Sequence, residues 1–483
     1  LITLMEQIAQ IIKAGANSVM TLEDIIKLEI SEWLTSEERN WMLIGERYYR
    51  GDSDILQRRR MAIGEGGAQI DAVNLANNKL VNNFTRKLVD QKVGYLLGLP
   101  LTIQTNNETY QKLLNEIFDK NFLRTLKNVG KEAINKGKAW LHVYYNEEGK
   151  LSFKKIPSEE VIPLWKDAAH TELDAVIRIY DIEGYEGMQK RIYTKVEFWD
   201  RTGVKRYVMD SGNLIPDVEA GELTSHFVAI IDEQEVPMNW ERVPFICFKY
   251  NDEELPLIKF IKSLIDDYDK HMSDNSNNLE DLPNSIYVVR NYDGTDLGEF
   301  RRNLSIYRAV KVTDEGGVDT LSLDFDIEAS KTHLEILRKN IYEFGRGVDT
   351  QSERFGGDKS GIALKFLYAD LDMDANIIET EFQAALEQLL WFVNQHIANT
   401  TGQDFSNEKV EFIFNRDILI NETDTINNVK NSIGILSEET ILANHPWVAD
   451  VRAELERIRK ERAADIEQSY GDLGQNTADG DTT

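Results

Sequence analysis

The sequence predicts an α+β protein, on three observations. Apolar residues recur at helical spacing through the first 136 residues and again beyond residue 255. Between Lys138 and Tyr250 the pattern changes to the alternation of strands, punctuated by glycine turns. Two long helical segments then bracket a compact strand-rich module, Ser285 to Phe325, which predicts a stalk with a tip.

The elements follow in chain order. "TLEDIIKLEISEWL" predicts a helix capped by Thr21, with Glu23 and Asp24 in its first turn. A longer helix is expected from Asp71 to Gly98, with Val73, Leu80, Val81, Phe84, Leu88, Val93 and Leu96 as its stripe and "GLP" as its stop. Another is expected over Asn107 to Lys136. "KAWLHVYY", "NEEGK" and "LSFKKI" spell a hairpin from Lys138 to Ile156 turning at Gly149. "LDAVIRIYDI", "RIYTKVEFWD" and "KRYVMD" supply three further strands, the last two joined by "RTG".

The first stalk helix is expected over Leu255 to Leu282, burying Leu257, Ile261, Leu264, Tyr268, Met272, Leu279 and Leu282. Its other face carries Lys259, Lys262, Asp266, Asp267, Lys270 and Asp274. The return helix, Ile327 to Phe344, aligns Leu334, Leu337, Ile341 and Phe344, and should run antiparallel to the first. A long helix is expected from Ser360 to Ala398, a strand at 410–420, and terminal helices with Val448, Val451, Leu455 and Ile458 at heptad-like spacing. "GDLGQNTADGDTT" reads as a polar, disordered tail.

Composition bounds the function. The 483 residues are 42% hydrophobic and 29% charged, as in soluble globular proteins. No run approaches the roughly 18 apolar residues of a membrane helix, and "LITLMEQIAQII" has no small-residue cleavage site, so no signal peptide is expected. The chain opens on Leu1 rather than Met, so native residues are expected to precede it. One cysteine, Cys247, forbids an intrachain disulfide and suggests a reducing compartment; in "PFICFKY" it reads as a buried, inert thiol. A net charge of −28 argues against tight non-specific DNA binding by the whole chain, which needs lysines and arginines to displace counterions.

Several motifs resemble chemistry without meeting its requirements. "FGRGVDTQSERFGGDKSGIALKF", Phe344 to Phe366, contains Gly-Asp-Lys-Ser. A phosphate loop needs Gly-Lys-Ser/Thr directly after a strand, and here Asp358 intervenes and a helix precedes, so no nucleotide site is expected. "DLDMDANIIETE" offers Asp370, Asp372, Asp374, Asn376 and Glu381 at calcium-loop spacing, but Ala375 replaces the required glycine. Leu364, Leu367, Leu371, Ile378, Phe382 and Leu386 run through it as a helical stripe, so helix is expected. His142, His170, His226, His271, His333, His396 and His445 form no metal signature; His271 and His333 could meet across the stalk, as a structural contact rather than a metal site. Arg58, Arg59 and Arg60 could meet nucleic acid, although on so acidic a chain they read as a solvated or interface face. No catalytic constellation, cofactor site or metal site is expected.

Two stretches carry a family resemblance. "ANNKLVNNFTRKLVDQKVGYLLGLPLTI", Ala76 to Ile103, resembles the N-terminal helix and following turn of the portal, or head-to-tail connector, proteins of tailed double-stranded DNA bacteriophages. "SGIALKFLY", Ser360 to Tyr368, resembles the start of that family's long helix after its channel loop, and the order of elements matches over nearly the whole chain. The resemblance implies a portal-type subunit: a helical and sheet wing (1–252), an antiparallel two-helix stem (253–284 and 326–346) and a small α/β clip (285–325). It further implies a channel loop (347–360), a long helix with the rest of the wing (361–431), a helical crown (432–470) and the tail (471–483).

It implies a ring, normally of twelve subunits, at one capsid vertex of the virion, assembled in the host cytoplasm around a channel for double-stranded DNA. Implied partners are the packaging terminase, head-completion or adaptor proteins, and capsid and scaffolding proteins, with no membrane. DNA-facing candidates are Thr350, Gln351, Ser352, Glu353, Arg354, Phe355, Gly356, Gly357, Asp358 and Lys359. The partner-binding candidates, all in the clip, are Arg290, Asn291, Tyr292, Asp293, Arg301 and Arg302; the stem candidates are Lys259, Lys262, Asp266 and Lys270. The competing readings are a capsid-associated interaction protein without a channel, the packaging ATPase itself, and an enzyme whose catalytic cluster the sequence does not display.

Overall fold

A computed structural model describes residues 20–63, 68–71, 75–221, 223–231, 234–280, 285–292, 296, 298, 300, 312–322, 326–351, 366–416, 426, 429–443, 445, 447–448 and 451–476. Mixed helix and antiparallel sheet make it α+β. Those residues within Leu1–Asp349 and Asp370–Asp417 make one compact unit, and those within Thr350–Ala369 and Ile418–Thr483 a second.

In the first unit, α1 (Leu22–Thr35) is capped by Thr21, whose hydroxyl accepts from the Asp24 N–H while Asp24 accepts from the Thr21 N–H. With α2 (Glu37–Arg50) it sets Ile26, Ile30, Trp33 and Met42 against Ile162, Ile177, Val196 and Phe198 of a large antiparallel sheet. That sheet runs β10–β9–β8–β7–β6, from β6 (Val161–Trp165), β7 (Leu173–Glu186), β8 (Gln189–Asp200), β9 (Gly203–Asp210) and β10 (Asn213–Pro216). The pleat sends Ile177 to the α1 side and Val176 to the other, where Trp140, Trp165, Trp199 and Phe245 form a second core. That core is closed by a three-stranded sheet of β14 (Phe245–Lys249), β4 (Lys138–Tyr145) and β5 (Leu151–Ile156). The β4–β5 hairpin turns at Gly149, whose φ of 74° suits a residue without a Cβ.

Four expectations are corrected. The helix expected over Asp71 to Gly98 is only α3 (Phe84–Leu97); Asp71 ends a short strand, and residues 75–83 are non-helical. Long-range hydrogen bonds override the helical pattern. The N–H groups of Asn78, Leu80 and Asn82 donate to Asn277 Oδ1 (2.6 Å), Ser273 Oγ (3.0 Å) and Asp269 Oδ1 (2.8 Å). Two residues of extended chain rise about 6.6 Å and four of helix about 6 Å, so the donor and acceptor rows match.

Those acceptors lie on α6 (Ile258–Glu280) and correct its expected face. The buried positions are Ile258, Ile261, Ile265, Asp269, Ser273 and Asn277; of the expected stripe Leu257 and Ile261 are buried, Leu264, Tyr268 and Met272 half-buried and Leu279 exposed, because the second half of the helix turns polar side chains to the extended segment. The helix expected over Asn107 to Lys136 is two, α4 (Glu108–Ile117) and α5 (Lys120–Lys136), because Asp119 accepts from the Asn121 and Phe122 N–H groups and restarts it. In the second unit α9 (Glu438–Ala443) precedes α10 (Val451–Asn476), which runs six residues into the expected tail; Gly471 and Gly474 weaken a helix, but no proline breaks it.

After α6 comes a hairpin of β15 (Ser285–Tyr292) and β16 (Val312–Ser322), then α7 (Ile327–Phe344). Contacts order α7 antiparallel to α6: Ser330 meets Asn275 (3.0 Å), His333 meets Asp267 (3.2 Å), and Gly345 lies against Ile261. The long helix is α8 (Ala369–Thr401), and β17 (Val410–Ile413) pairs with β3 (Thr102–Thr105). Of the rest of the expected strand, 414–416 are irregular rather than strand, and 417–420 lie outside the described residues. Among the described residues no helix is long and apolar enough to cross a membrane.

Candidate loop seat and candidate site residues

The chain leaves α7 through a tight, anchored corner. The Arg346 N–H donates to the Glu343 carbonyl (3.1 Å) and the Gly347 N–H to that of Tyr342 (2.9 Å), the paired bonds of a Schellman stop. The left-handed position, φ +48°, is held by Arg346 rather than by glycine. Such a residue costs about 1–2 kcal/mol and persists only where its surroundings fix it. The Arg346 carbonyl accepts from Lys92 Nζ (3.1 Å), and its guanidinium reaches Asp374 (3.4 Å). A Cβ on Gly347 would lie 2.1 Å from Leu88 Cδ2, and one on Gly345 2.8 Å from Leu88 Cδ1, so both glycines admit this buried leucine of α3.

Beneath the corner is a buried ion pair, Lys92 to Asp374 at 2.7 Å, with side chains 1% and 4% exposed. The Tyr250 hydroxyl donates to both Asp374 oxygens (3.2 and 3.0 Å). Burial lowers the Lys92 pKa, opposed by Asp374, while burial and the Asp374 charge push the Tyr250 hydroxyl well up. Next along the chain, Gln91 donates to the Val348 carbonyl (3.0 Å) and accepts from the Val348 N–H (2.8 Å). Arg338 then grips Asp349 with two bonds (2.8 and 2.9 Å). Each residue from Gly345 to Asp349 is thus held by at least one bond to α3, α7 or α8, at the start of the candidate loop.

The loop candidates divide at Gln351. Thr350 and Gln351 are exposed; Ser352, Glu353, Arg354, Phe355, Gly356, Gly357, Asp358 and Lys359, and with them the Gly-Asp-Lys-Ser motif, lie outside the described residues. A helix, α7, precedes that motif. In the tip, Arg290 faces Asp319 across the β15–β16 hairpin (3.5 Å) and is largely exposed. Asn291 and Tyr292 are in β15, whereas Asp293, Arg301 and Arg302 lie outside the described residues.

Three of the four stem candidates are engaged within the chain. Lys259 pairs with Glu37 (3.2 Å), and Lys262 bridges Asp54 (2.6 Å) and Asp266 (2.7 Å). Asp266 also accepts from the Tyr48 hydroxyl. Lys270 is exposed. The arginine run is held too: Arg58 by Asp274 (2.7 Å), Arg59 by Asp71 and Arg60 by the Ala76 carbonyl.

The acids that mimic a calcium loop lie on α8 and serve different partners, Asp372 taking Tyr95 (3.0 Å) and Arg416 while Asp374 takes Lys92. Burial depresses His142 to about 3, with its Nδ1 on the Pro244 carbonyl (3.0 Å), and pushes the Cys247 thiol up to about 12, so neither is poised to react. Sequence reasoning missed the Lys92–Asp374 pair. The available signal was one charge on each of two apolar faces: Lys92 among Leu88, Val89, Val93 and Leu96, and Asp374 among Leu371, Ala375 and Ile378.

The family model "Phage portal protein, SPP1 Gp6-like" matches residues 36–468. The portal protein of Bacillus phage SPP1 is 33% identical over 423 residues, 87% of this chain and 83% of the relative. The portal protein of Clostridium phage phiCD119 is 30% identical over 455 residues, 90% of this chain and 96% of the relative. A chain in the solved structure "Neck of native GTA particle computed with C12 symmetry" aligns with a TM-score of 0.39 at 13% identity, over 76% of this chain and 90% of that one. By the extent of the family match and the identity to both relatives, the chain belongs to the SPP1 Gp6-like phage portal proteins, a structural rather than a catalytic family.

Proposed function

We propose that the chain is one subunit of a ring, normally of twelve, that conducts double-stranded DNA through one capsid vertex during packaging and ejection. In this reading residues 1–252 and 361–431 are wing, 253–284 and 326–346 stem, 285–325 clip, 347–360 channel loop, 432–470 crown and 471–483 tail. The clip candidates, Arg290, Asn291, Tyr292, Asp293, Arg301 and Arg302, dock the packaging ATPase and later the head-completion proteins. Capsid and scaffolding proteins engage the rest of the ring, assembled in the host cytoplasm.

The observation that carries the reading is the seat at Gly345 to Asp349, fixed at its carbonyls, amides and side chains. A loop that touches a moving polymer needs a root that does not move with it. Within 347–360, Asp349, Glu353, Arg354, Asp358 and Lys359 sum to −1, so the loop approaches DNA without gluing it, while the acidity of the chain keeps phosphates off the wall. Arg354 and Lys359 make weak, exchangeable phosphate contacts, and Phe355 packs on a neighbouring loop. Phage carrying Arg354→Ala with Lys359→Ala should assemble portal-containing heads yet fill few with DNA. Normal filling would sink the role of these two cations.

A further inference from the structure

The α6–α7 hairpin carries a set of side chains that neither the family match nor the conduit reading uses. Asp267 and His271 are four residues apart on α6, hence on one face. His333 faces them from α7, with its ring centroid 4.7 Å from that of His271 and the planes at 76°. The two imidazoles converge on one carboxylate: His333 Nε2 is 3.2 Å from one Asp267 oxygen and His271 Nε2 is 3.4 Å from the other. One ligand atom from each residue falls within 4.8 Å of the others. We propose that Asp267, His271 and His333 form a binding site for a divalent cation of the zinc class, stapling α6 to α7.

The geometry favours this over a pair of surface contacts. Zinc held at about 2.0–2.1 Å by tetrahedral ligands places neighbouring ligand atoms about 3.3–3.4 Å apart. The two imidazole-to-carboxylate separations, 3.4 and 3.2 Å to the two Asp267 oxygens, are close to that value, so capture requires mainly side-chain rotation. Each ring aims a nitrogen at the carboxylate, and two imidazoles with one carboxylate suit zinc, nickel or cobalt far better than calcium or magnesium, which take oxygen ligands. The frame is set by contacts elsewhere in the same unit: Ser330 on Asn275 one turn away and Arg338 on Asp349 toward the corner. Partial exposure lets an ion enter from solvent and leaves a coordination position for water. Sequence spacing gave no metal signature because the third ligand comes from a helix on the far side of the β15–β16 hairpin.

The test uses the full chain, stripped with a chelator and returned to chelator-free buffer. Calorimetric titration with ZnCl2 should give one site per chain, and Zn2+ should raise the Tm while Mg2+ and Ca2+ leave it in place. His333→Ala and, separately, His271→Ala should each weaken Zn2+ binding by about 100-fold or more, since loss of even an outer-sphere partner typically costs about 10–100-fold. Asp267→Asn, which keeps the shape of the side chain, should weaken it as well. These side chains are partly exposed, so far-UV circular dichroism should show all three variants folded. No Zn2+-dependent Tm shift, or Zn2+ affinity unchanged in the two histidine variants, would overturn the site. The inference rests on geometry within one chain, so its failure would leave the conduit reading standing.

Discussion

Replacing Lys92 with Met is expected to loosen the corner at Gly345 to Asp349 while leaving α3 in place, because methionine keeps the apolar stem and removes the ammonium. Among the described residues Asp374, whose side chain is 4% exposed, then keeps only the Tyr250 hydroxyl and the more distant Arg346 guanidinium at 3.4 Å. Removing one partner of a buried pair costs about 3–5 kcal/mol, and the Arg346 carbonyl loses its donor at about 1 kcal/mol. The Arg346 guanidinium offsets part of this, so the single variant should cost about 3–4 kcal/mol. Asp374→Leu should cost about as much, by stranding the ammonium.

The double variant leaves no buried charge, only an unpaired hydroxyl and an unpaired carbonyl, at about 2–4 kcal/mol in total. The two substitutions should therefore be less than additive by about 4 kcal/mol. The assay is native-state hydrogen exchange at the Gly347 and Val348 amides, which are bonded to Tyr342 and Gln91. Local opening made easier by about 3 kcal/mol speeds their exchange roughly 100-fold. Exchange within a few-fold of wild type in Lys92→Met, or strictly additive effects in the double variant, would refute the claim that this pair fixes the corner.

Two further outcomes follow from named contacts. Glu254 is buried, which alone would raise its pKa, yet Lys138 at 2.7 Å, His170 at 2.7 Å and Lys249 at 3.1 Å hold it at about 2 against an ordinary 4.5. Its folded value is depressed, so the stability it contributes is present above pH 4.5 and is lost as pH falls toward 2, on the order of 3 kcal/mol. Urea midpoints measured across that window should fall more steeply for wild type than for Glu254→Gln, and parallel curves would count against the network. Gly347→Ala places a Cβ 2.1 Å from Leu88 Cδ2 and should cost about 1–3 kcal/mol, partly relieved when Leu88→Ala is added; full additivity in Tm would show that the two do not touch.

Much of the fold was legible because its signals are local. Thr21 with Asp24 marks the start of α1, and Gly149 between two alternating runs marks the β4–β5 hairpin, with no need of distant partners. Where the sequence misled, a distant element decided. "ANNKLVNN" carries Leu80 and Val81 at helical spacing, but its amides are claimed by Asn277, Ser273 and Asp269 nearly two hundred residues later. The same contact explains why the second half of α6 buries Asp269, Ser273 and Asn277 while Leu279 of the expected stripe is exposed. Lys259, Lys262 and Asp266 looked like free stem charges for a related reason: Glu37, Asp54 and Tyr48, which engage them, come from the far end of the chain. The loop seat was half legible, since its glycines were conspicuous in sequence while Leu88, Gln91 and Lys92, which give them their purpose, belong to another helix.

The conduit account is tested most directly by imaging the purified chain in negative-stain electron micrographs, with mass photometry on the same sample. It predicts closed rings of about a dozen 55.5 kDa subunits around a hole on the order of 20 Å or more, wide enough for a B-form duplex whose major groove alone is about 12 Å across. A stable oligomer with a filled centre would contradict it.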